Sequence, residues 1–243
     1  MKLTATKSGI RVIPKVKRES FLPADEKWLA THSEVQLGKF IGEGTQGSVY
    51  TVKGRPSLVV KIPAGYNNVK SEDELNFNQR ARRWNLYKEI KDVEKFGSEP
   101  LIIPSKAVTI KNKHGFEVPG IVRPRVKTII DYTKRYTNKY PSGLSDLTDV
   151  EIEQVRQKVI ALSKKGILLK DGLQVGRDRR GRIQLYDVGG IIQDGDTAKD
   201  IRYTFDFNQG HWENFLYLVG RLGDDDGYDE VFKKYGMIKM VSR

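Results

Sequence analysis

The chain has no cysteine among its 243 residues. That absence removes disulfides, thiolate-bound metal and a cysteine nucleophile, and leaves the compartment open. No apolar run approaches the roughly 18 residues that a membrane-spanning helix needs. The N-terminus carries Lys2 and Lys7 with no apolar stretch behind them, so a secretory signal peptide is not expected. Export by a route that reads an unstructured N-terminus stays open. There is no internal repeat and no low-complexity tract. Hydrophobic residues make up 38% and charged residues 30%, a polar balance that is still globular. The length allows one domain or two lobes around a sizeable core.

Acid is in short supply as well. The formal net charge is +12 and the pI about 9.6. A soluble basic surface accounts for this in the plainest way. An affinity for phosphate, acidic protein or nucleic acid is the sharper reading. Part of the excess is local: residues 164–182 hold seven Lys and Arg against two Asp.

Glycine is the residue to follow next. Ile41-Gly42-Glu43-Gly44-Thr45-Gln46-Gly47-Ser48-Val49-Tyr50 fits G-x-G-x-x-G-x-V. Such a loop lets backbone amides approach phosphate oxygens, because no Cβ intervenes and φ is unrestricted. Three glycines at this spacing also open dinucleotide-binding folds, where the loop runs into a helix. Here Ser48–Val52 follows, a β-branched and aromatic run that reads as a strand. Strand–loop–strand is the arrangement of a phosphate-covering hairpin.

Residues 1–34 read as an extension with Pro14 and Pro23, and with a short helix over Ala24–Thr31 that carries Asp25 and Glu26 in its first turn. Strands are expected at Val35–Ile41, Ser48–Val52 and Leu58–Ile62, with a turn at Gly54-Arg55-Pro56. Lys61 sits inside the apolar run Leu58-Val59-Val60-Lys61-Ile62. It either snorkels from an edge or is paired, since an unpaired buried charge is costly. Glu72–Phe96 is a long helical pattern, with Leu86, Ile90 and Val93 as its stripe and Glu89 beside it. Two more strands are expected at Leu101–Ile110 and Glu117–Val126. Beyond them, Asp131–Leu147 is polar, Asp149–Lys165 is an amphipathic helix stopped by Gly166, and Ile167-Leu168-Leu169 leads into Lys170-Asp171. A hairpin follows over Leu173–Arg177 and Arg182–Tyr186, turning at Asp178–Gly181 and running into Asp187-Val188-Gly189. Residues 191–208 read as loop, His211–Leu222 as a buried helix, and 228–243 as one more short helix.

Glycine loop, strand lysine, helix glutamate, loop aspartate after a helix and D-x-G after a hairpin stand in one order. From about residue 36 to 220 the chain resembles a protein kinase. The resemblance implies an α+β, bilobal, kinase-like fold. A five-stranded antiparallel N-lobe sheet with one C-helix would span 35–126, and a reduced helical C-lobe 127–243. It implies ATP held by Gly42, Glu43, Gly44, Thr45, Gln46, Gly47, Val49 and Lys61, with Lys61 on the α- and β-phosphates. Glu89 is the expected partner of Lys61, with Glu72 and Glu74 as competitors. Asp171, in Leu169-Lys170-Asp171 rather than H-R-D, would orient the acceptor hydroxyl and take its proton. Asp187, in Asp187-Val188-Gly189, would hold Mg²⁺.

The chain departs from the kinase pattern on the far side of the cleft. The metal-binding asparagine should fall five residues after Asp171, where the chain has Gly176. Gln174 or Asp178 are candidate substitutes, or one metal is held through Asp187 and water. No A-P-E follows Asp187, and 56 residues remain. Control by phosphorylation of an activation loop is therefore not expected. The layout D-G-L-Q-V-G-x-D-x-x-G-x-I-x-L-Y-D-V-G, from Asp171 to Gly189, is similar to the HopBF family of bacterial type III effectors. That likeness implies a monomeric protein injected into the host cytoplasm, its N-terminal extension carrying the secretion signal. It also implies a serine/threonine kinase that phosphorylates and inactivates the ninety-kilodalton heat-shock chaperone. Shortened effector kinases that bind ubiquitin-loaded conjugating enzymes are a second resemblance. Three classes stay open: a protein kinase, a small-molecule phosphotransferase of related fold, and a pseudokinase scaffold. Neither a membrane nor a specific nucleic acid is an expected partner.

Overall fold

β-Branched and aromatic runs after Glu34 form five strands: β1 (Glu34–Glu43), β2 (Gly47–Val52), β3 (Arg55–Pro63), β4 (Lys106–Lys111) and β5 (Glu117–Pro124). The computed structural model describes residues 23–31, 34–44, 46–96, 101–129, 147–169, 173–186, 192–193 and 201–219. The strands lie in the order β1-β2-β3-β5-β4 and close into a barrel. Four contacts are antiparallel, as expected. The fifth is parallel and pairs Glu34–Gln36 of β1 with Thr109–Lys111 of β4. An ion pair between Lys111 and Glu34, at 2.6 Å, sits on that seam. Val35, Val52, Leu58, Val60, Ile62, Ile110, Val118 and Val122 form the buried cluster that the strands enclose, so burial on one face fixes the register.

Helix α1 (Pro23–Thr31) packs onto the barrel through Leu29 and the buried Asp25. Asp25 accepts a 2.9 Å hydrogen bond from Ser57 and pairs with Arg55, whose guanidinium lies 5.5 Å from the Trp28 ring centroid. Helix α2 (Phe77–Phe96) starts later than its residue pattern suggests. Asn76 caps it: Gln79 N–H donates to Asn76 Oδ1 at 2.9 Å, and Asn76 N–H donates to Gln79 Oε1 at 3.0 Å. This reciprocal pair satisfies two amides that would otherwise lack partners, so Glu72–Glu74 form only a single 3-10 turn. Strand β4 also starts late. Leu101–Ile103 turn away to the second half of the molecule, where Ile103 N–H donates to Leu185 O at 2.8 Å. The expected Gly54–Pro56 turn is tighter, because Gly54 (φ 74°) makes it and Arg55 already belongs to β3.

The second cluster is built on α3 (Asp149–Lys164) and α4 (Ile201–Leu218). Thr148 and Glu151 form a capping box at the start of α3. Ile152, Val155, Val159 and Leu162 of α3 meet Trp212, Phe215 and Leu216 of α4 in the core, with Leu86, Val93 and Ile121 from the barrel side. Helix α4 begins ten residues before His211, because Phe205, Asn208, Trp212 and Phe215 all fall on its buried face. Five short strands in two sheets complete this half. β6 (Lys127–Thr128), β8 (Val175–Arg177) and β9 (Ile183–Leu185) form one sheet, and β7 (Leu168–Leu169) pairs with β10 (Ile192–Gln193) in another. Residues 191–208, expected as loop, thus contribute a strand and the start of a helix. Arg177 forks onto Glu151 at 3.0 and 3.2 Å and holds that carboxyl below its usual range, chiefly through this hydrogen bonding. The architecture is α+β, with four α-helices among the described residues, none long and apolar enough to cross a membrane. The polar stretch 131–146 and the expected helix at 228–243 lie outside the described residues.

Candidate functional site

Lys61 belongs to β3, whose neighbours are β2 and β5. Val60 and Ile62 turn into the barrel, so Lys61 faces out of it. It pairs in register with Val49 on β2 and Ile121 on β5. Its Nζ donates to Glu89 Oε2 at 2.7 Å, with both side chains largely buried. The two competitors are engaged elsewhere. Glu72 takes both guanidinium nitrogens of Arg83 at 2.5 Å, and Glu74 accepts from Lys70 N–H at 2.8 Å. The long gap between Lys61 and Glu89 is taken up by two 3-10 turns, Tyr66–Asn68 and Glu72–Glu74, ahead of α2. Glu89 lies with Leu86, Asp92 and Val93 among the buried residues of the helix, not beside them.

The glycine loop joins β1 to β2 directly above this pair. Gly47 is the glycine the packing requires. A Cβ there would stand 2.8 Å from Ile62 O and 3.0 Å from Lys61 Cγ. Neither Gly42 nor Gly44 is needed for space within the protein, since a Cβ at either would meet nothing within 4 Å. The space beside both is open. Gly44 N–H is not a spare donor: it bonds Gly47 O at 2.9 Å. Ser48 donates to the Glu43 carboxylate across the hairpin. Gln46 ties the loop to its surroundings, accepting from Asn85 Nδ2 of α2 at 3.0 Å and, through its carbonyl, from Ala64 N–H at 3.3 Å. Asn85 and Glu89, one helical turn apart, therefore hold the loop and the lysine from the same helix. Thr45 lies outside the described residues.

Asp171 and Asp187 also lie outside the described residues, as does Lys170. What the structure describes are the residues that anchor their segments. Leu169 pairs with Ile192, and Tyr186 N–H donates to Gln174 O at 2.9 Å. The described residues flanking 170–172 and 187–191 are thus paired with one another. Tyr186 is held from two further sides. The Arg123 guanidinium lies 4.6 Å from its ring centroid, and its hydroxyl reaches Thr128 Oγ1 at 3.3 Å. Arg123 follows Ile121 by two residues on β5, on the same face of the strand as the residue opposite Lys61.

Gly176 settles one departure from the kinase pattern. It pairs with Thr128 across β6 and β8, and a Cβ there would stand 2.9 Å from Lys127 O and 3.1 Å from Val126 Cγ2. No side chain fits, so this position holds no metal ligand. Asp178 is corrected as a substitute. It is buried at the hairpin turn, where Oδ1 accepts from Arg180 N–H and Arg182 N–H, and Oδ2 from Arg182 Nε and Gln184 Nε2. Gln174 keeps its candidacy, half-buried at the anchor of Tyr186. Among the described residues no group of three or more His, Asp or Glu gathers to hold a metal.

Asn208, Asn85 and the Arg123–Tyr186 stack do not figure in the sequence motifs. Asn208 is fully buried on α4 and accepts from Leu169 N–H at 2.8 Å. It donates to Ser163 Oγ and Ile167 O, both at 2.9 Å. It fixes the strand two residues before Asp171. Its signal was present in the sequence, as the one polar residue in the stripe Phe205, Asn208, Trp212, Phe215. Asn208→Leu keeps the volume but takes this partner from Leu169 N–H and Ile167 O, at a cost of about 1–3 kcal/mol each, while Ser163 Oγ still donates to Val159 O. Urea unfolding is expected to show a loss of several kcal/mol, and a midpoint equal to wild type would refute the clamp. No protein-family model matches the chain, and no curated protein matches it in sequence.

Proposed function

We propose that the chain is a reduced protein kinase that transfers the γ-phosphoryl group of ATP to a protein hydroxyl. One observation supports this above the others. A buried Lys61–Glu89 pair lies under a glycine loop, on the face of β3 and β5 from which Arg123 grips Tyr186, the residue before Asp187. An ammonium oriented by a carboxylate is what a polyphosphate needs, and the open space beside Gly42 and Gly44 leaves room for close approach of its oxygens. In this reading residues 35–126 form the N-lobe and 127–243 the C-lobe.

Asp171 orients the acceptor hydroxyl and takes its proton as the new O–P bond forms. The bond from the γ-phosphorus to the β,γ-bridging oxygen breaks, and ADP carries the negative charge away. Lys61 holds the α- and β-phosphates throughout. Mg²⁺, when bound through Asp187, supplies charge neutralisation at the transferring group. Gly176 leaves no second ligand in the usual place, so Asp187 and Gln174, with water, would hold a single ion. The proposal extends to the effector reading. The substrate is a host protein such as the ninety-kilodalton heat-shock chaperone, serine or threonine is the acceptor, and the site of action is the host cytoplasm. The single-metal site also favours a second reading, a nucleotide-binding scaffold that performs no transfer.

Incubation with labelled ATP and Mg²⁺ in eukaryotic lysate separates the readings. Wild type is expected to label a protein band, and Asp171→Ala to lower labelling by about 10²-fold or more while retaining nucleotide binding. Asp187→Ala is expected to lose labelling together with its Mg²⁺ dependence. Equal labelling by wild type and both variants would sink the kinase proposal. Nucleotide binding with no labelled protein would favour the scaffold.

A further inference from the structure

Helix α2 presents to solvent a face unlike an ordinary solvated helix. Phe77 is 84% exposed, Trp84 63% and Tyr87 46%. They stand at i, i+7 and i+10, so they share one side of the helix. Seven large hydrophobic residues are exposed among the described residues, and three of them are here. Arg80, Lys88 and Lys91 are exposed on the same side, and the Lys88 ammonium lies 5.8 Å from the Trp84 ring centroid. Glu94, the acid of this face, stands at its C-terminal end. The opposite side of the helix is spent on Leu86, Glu89, Asp92 and Val93.

We infer that this outer face of α2 is a docking surface for an acidic segment of a partner protein, one that carries apolar or aromatic side chains among its carboxylates. Trp, Tyr and Arg are the residues that dominate protein–protein hot spots. Aromatic anchors with basic side chains among them suit such an interface. The cations select acidic partners, in keeping with the net charge of +12. The chain's own first 22 residues are an unsuitable occupant, since they carry six Lys and Arg against one Glu. A lipid surface fits less well, because an interfacial helix keeps its charges opposite its apolar side and this face interleaves the two. Single-stranded nucleic acid stacks on open ring faces, and the Trp84 ring already carries the Lys88 ammonium. The inference does not depend on the kinase proposal.

The test measures fluorescence anisotropy of a labelled glutamate–tyrosine copolymer titrated with the full chain, without nucleotide. Polyglutamate, an oligothymidylate and phosphatidylserine vesicles serve as competitors. Wild type is expected to bind the copolymer in the micromolar range, with polyglutamate competing only weakly. Trp84→Ala and Tyr87→Ala should each weaken binding at least about tenfold, and the pair Lys88→Glu with Lys91→Glu should abolish it. Lys113→Glu, an exposed cation on the β4–β5 turn, should leave it unchanged. All these positions are exposed, so the fold survives the substitutions. No binding by wild type, or equal binding by Trp84→Ala, overturns the inference. So does tighter binding of the oligothymidylate or the vesicles that is lost in the same variants.

Discussion

Glu89→Ala is expected to lower phosphotransfer by about 10²-fold or more, as far as Lys61→Ala does. The physical reason is that the two side chains form one unit. Lys61 Nζ and Glu89 Oε2 are 2.7 Å apart, with side-chain exposures of 15% and 8%. Without Glu89 the largely buried ammonium loses its orienting carboxylate, where the proposed kinase needs it held still against a polyphosphate. The substitutions should also lower stability. Glu89→Ala takes the carboxylate from a largely buried ammonium and is expected to cost about 1.5–3 kcal/mol. Lys61→Met keeps the apolar stem but takes the ammonium from the more buried carboxylate, and should cost at least as much. Glu89→Gln keeps a hydrogen-bond acceptor and should cost less than either. Single-turnover ATP kinetics and urea unfolding of the four variants read both effects. Activity of Glu89→Ala within threefold of wild type would separate the pair from the chemistry.

Gly176→Asn is expected not to restore a second metal ligand, and to cost stability instead. The obstruction begins at the first side-chain atom, 2.9 Å from Lys127 O and 3.1–3.2 Å from two atoms of Val126. Two of those neighbours are a backbone carbonyl and a β-carbon, which cannot swing aside as the tip of a flexible side chain does. Overpacking of this kind costs about 1–3 kcal/mol. Gly176→Ala should therefore lose most of what Gly176→Asn loses, because both carry the offending Cβ. Thermal melting reads the stability, and the Mg²⁺ dependence of labelling reads the metal. A melting temperature equal to wild type with a lowered Mg²⁺ requirement would show that the strand yields and that the position is a usable ligand site.

The strands were legible in the sequence because they rest on local pattern, and the resemblance to a kinase then pointed to Glu89 as the partner of Lys61. Val60 and Ile62 flank Lys61 on a two-residue period, and Leu86 and Val93 mark the buried side of α2. The start of α2 was misjudged because Glu72–Glu74 has good helix formers, yet Asn76 and Gln79 cap one another a turn later. Closure of the barrel was not legible, since the partnership of Glu34–Gln36 with Thr109–Lys111 joins residues far apart in the chain and leaves no mark in either pattern alone. The burden on Asp178 was hidden for a related reason. A turn aspartate and a metal aspartate look alike until four donors are seen to converge on it.

The barrel is sealed along one short seam. There β1 and β4 share three parallel residue pairs and an exposed Lys111–Glu34 bridge, whereas β4 and β5 share six antiparallel pairs. Parallel pairing is slightly weaker per residue, and an exposed ion pair adds little. The seam is thus expected to open first, its amides exchanging with solvent ahead of those between β3 and β5. Beyond its far end, β1 runs into the glycine loop. Glu34→Ala, remote from that loop, is therefore expected to speed exchange of the seam amides first, with any effect on the loop read from exchange at Gly44.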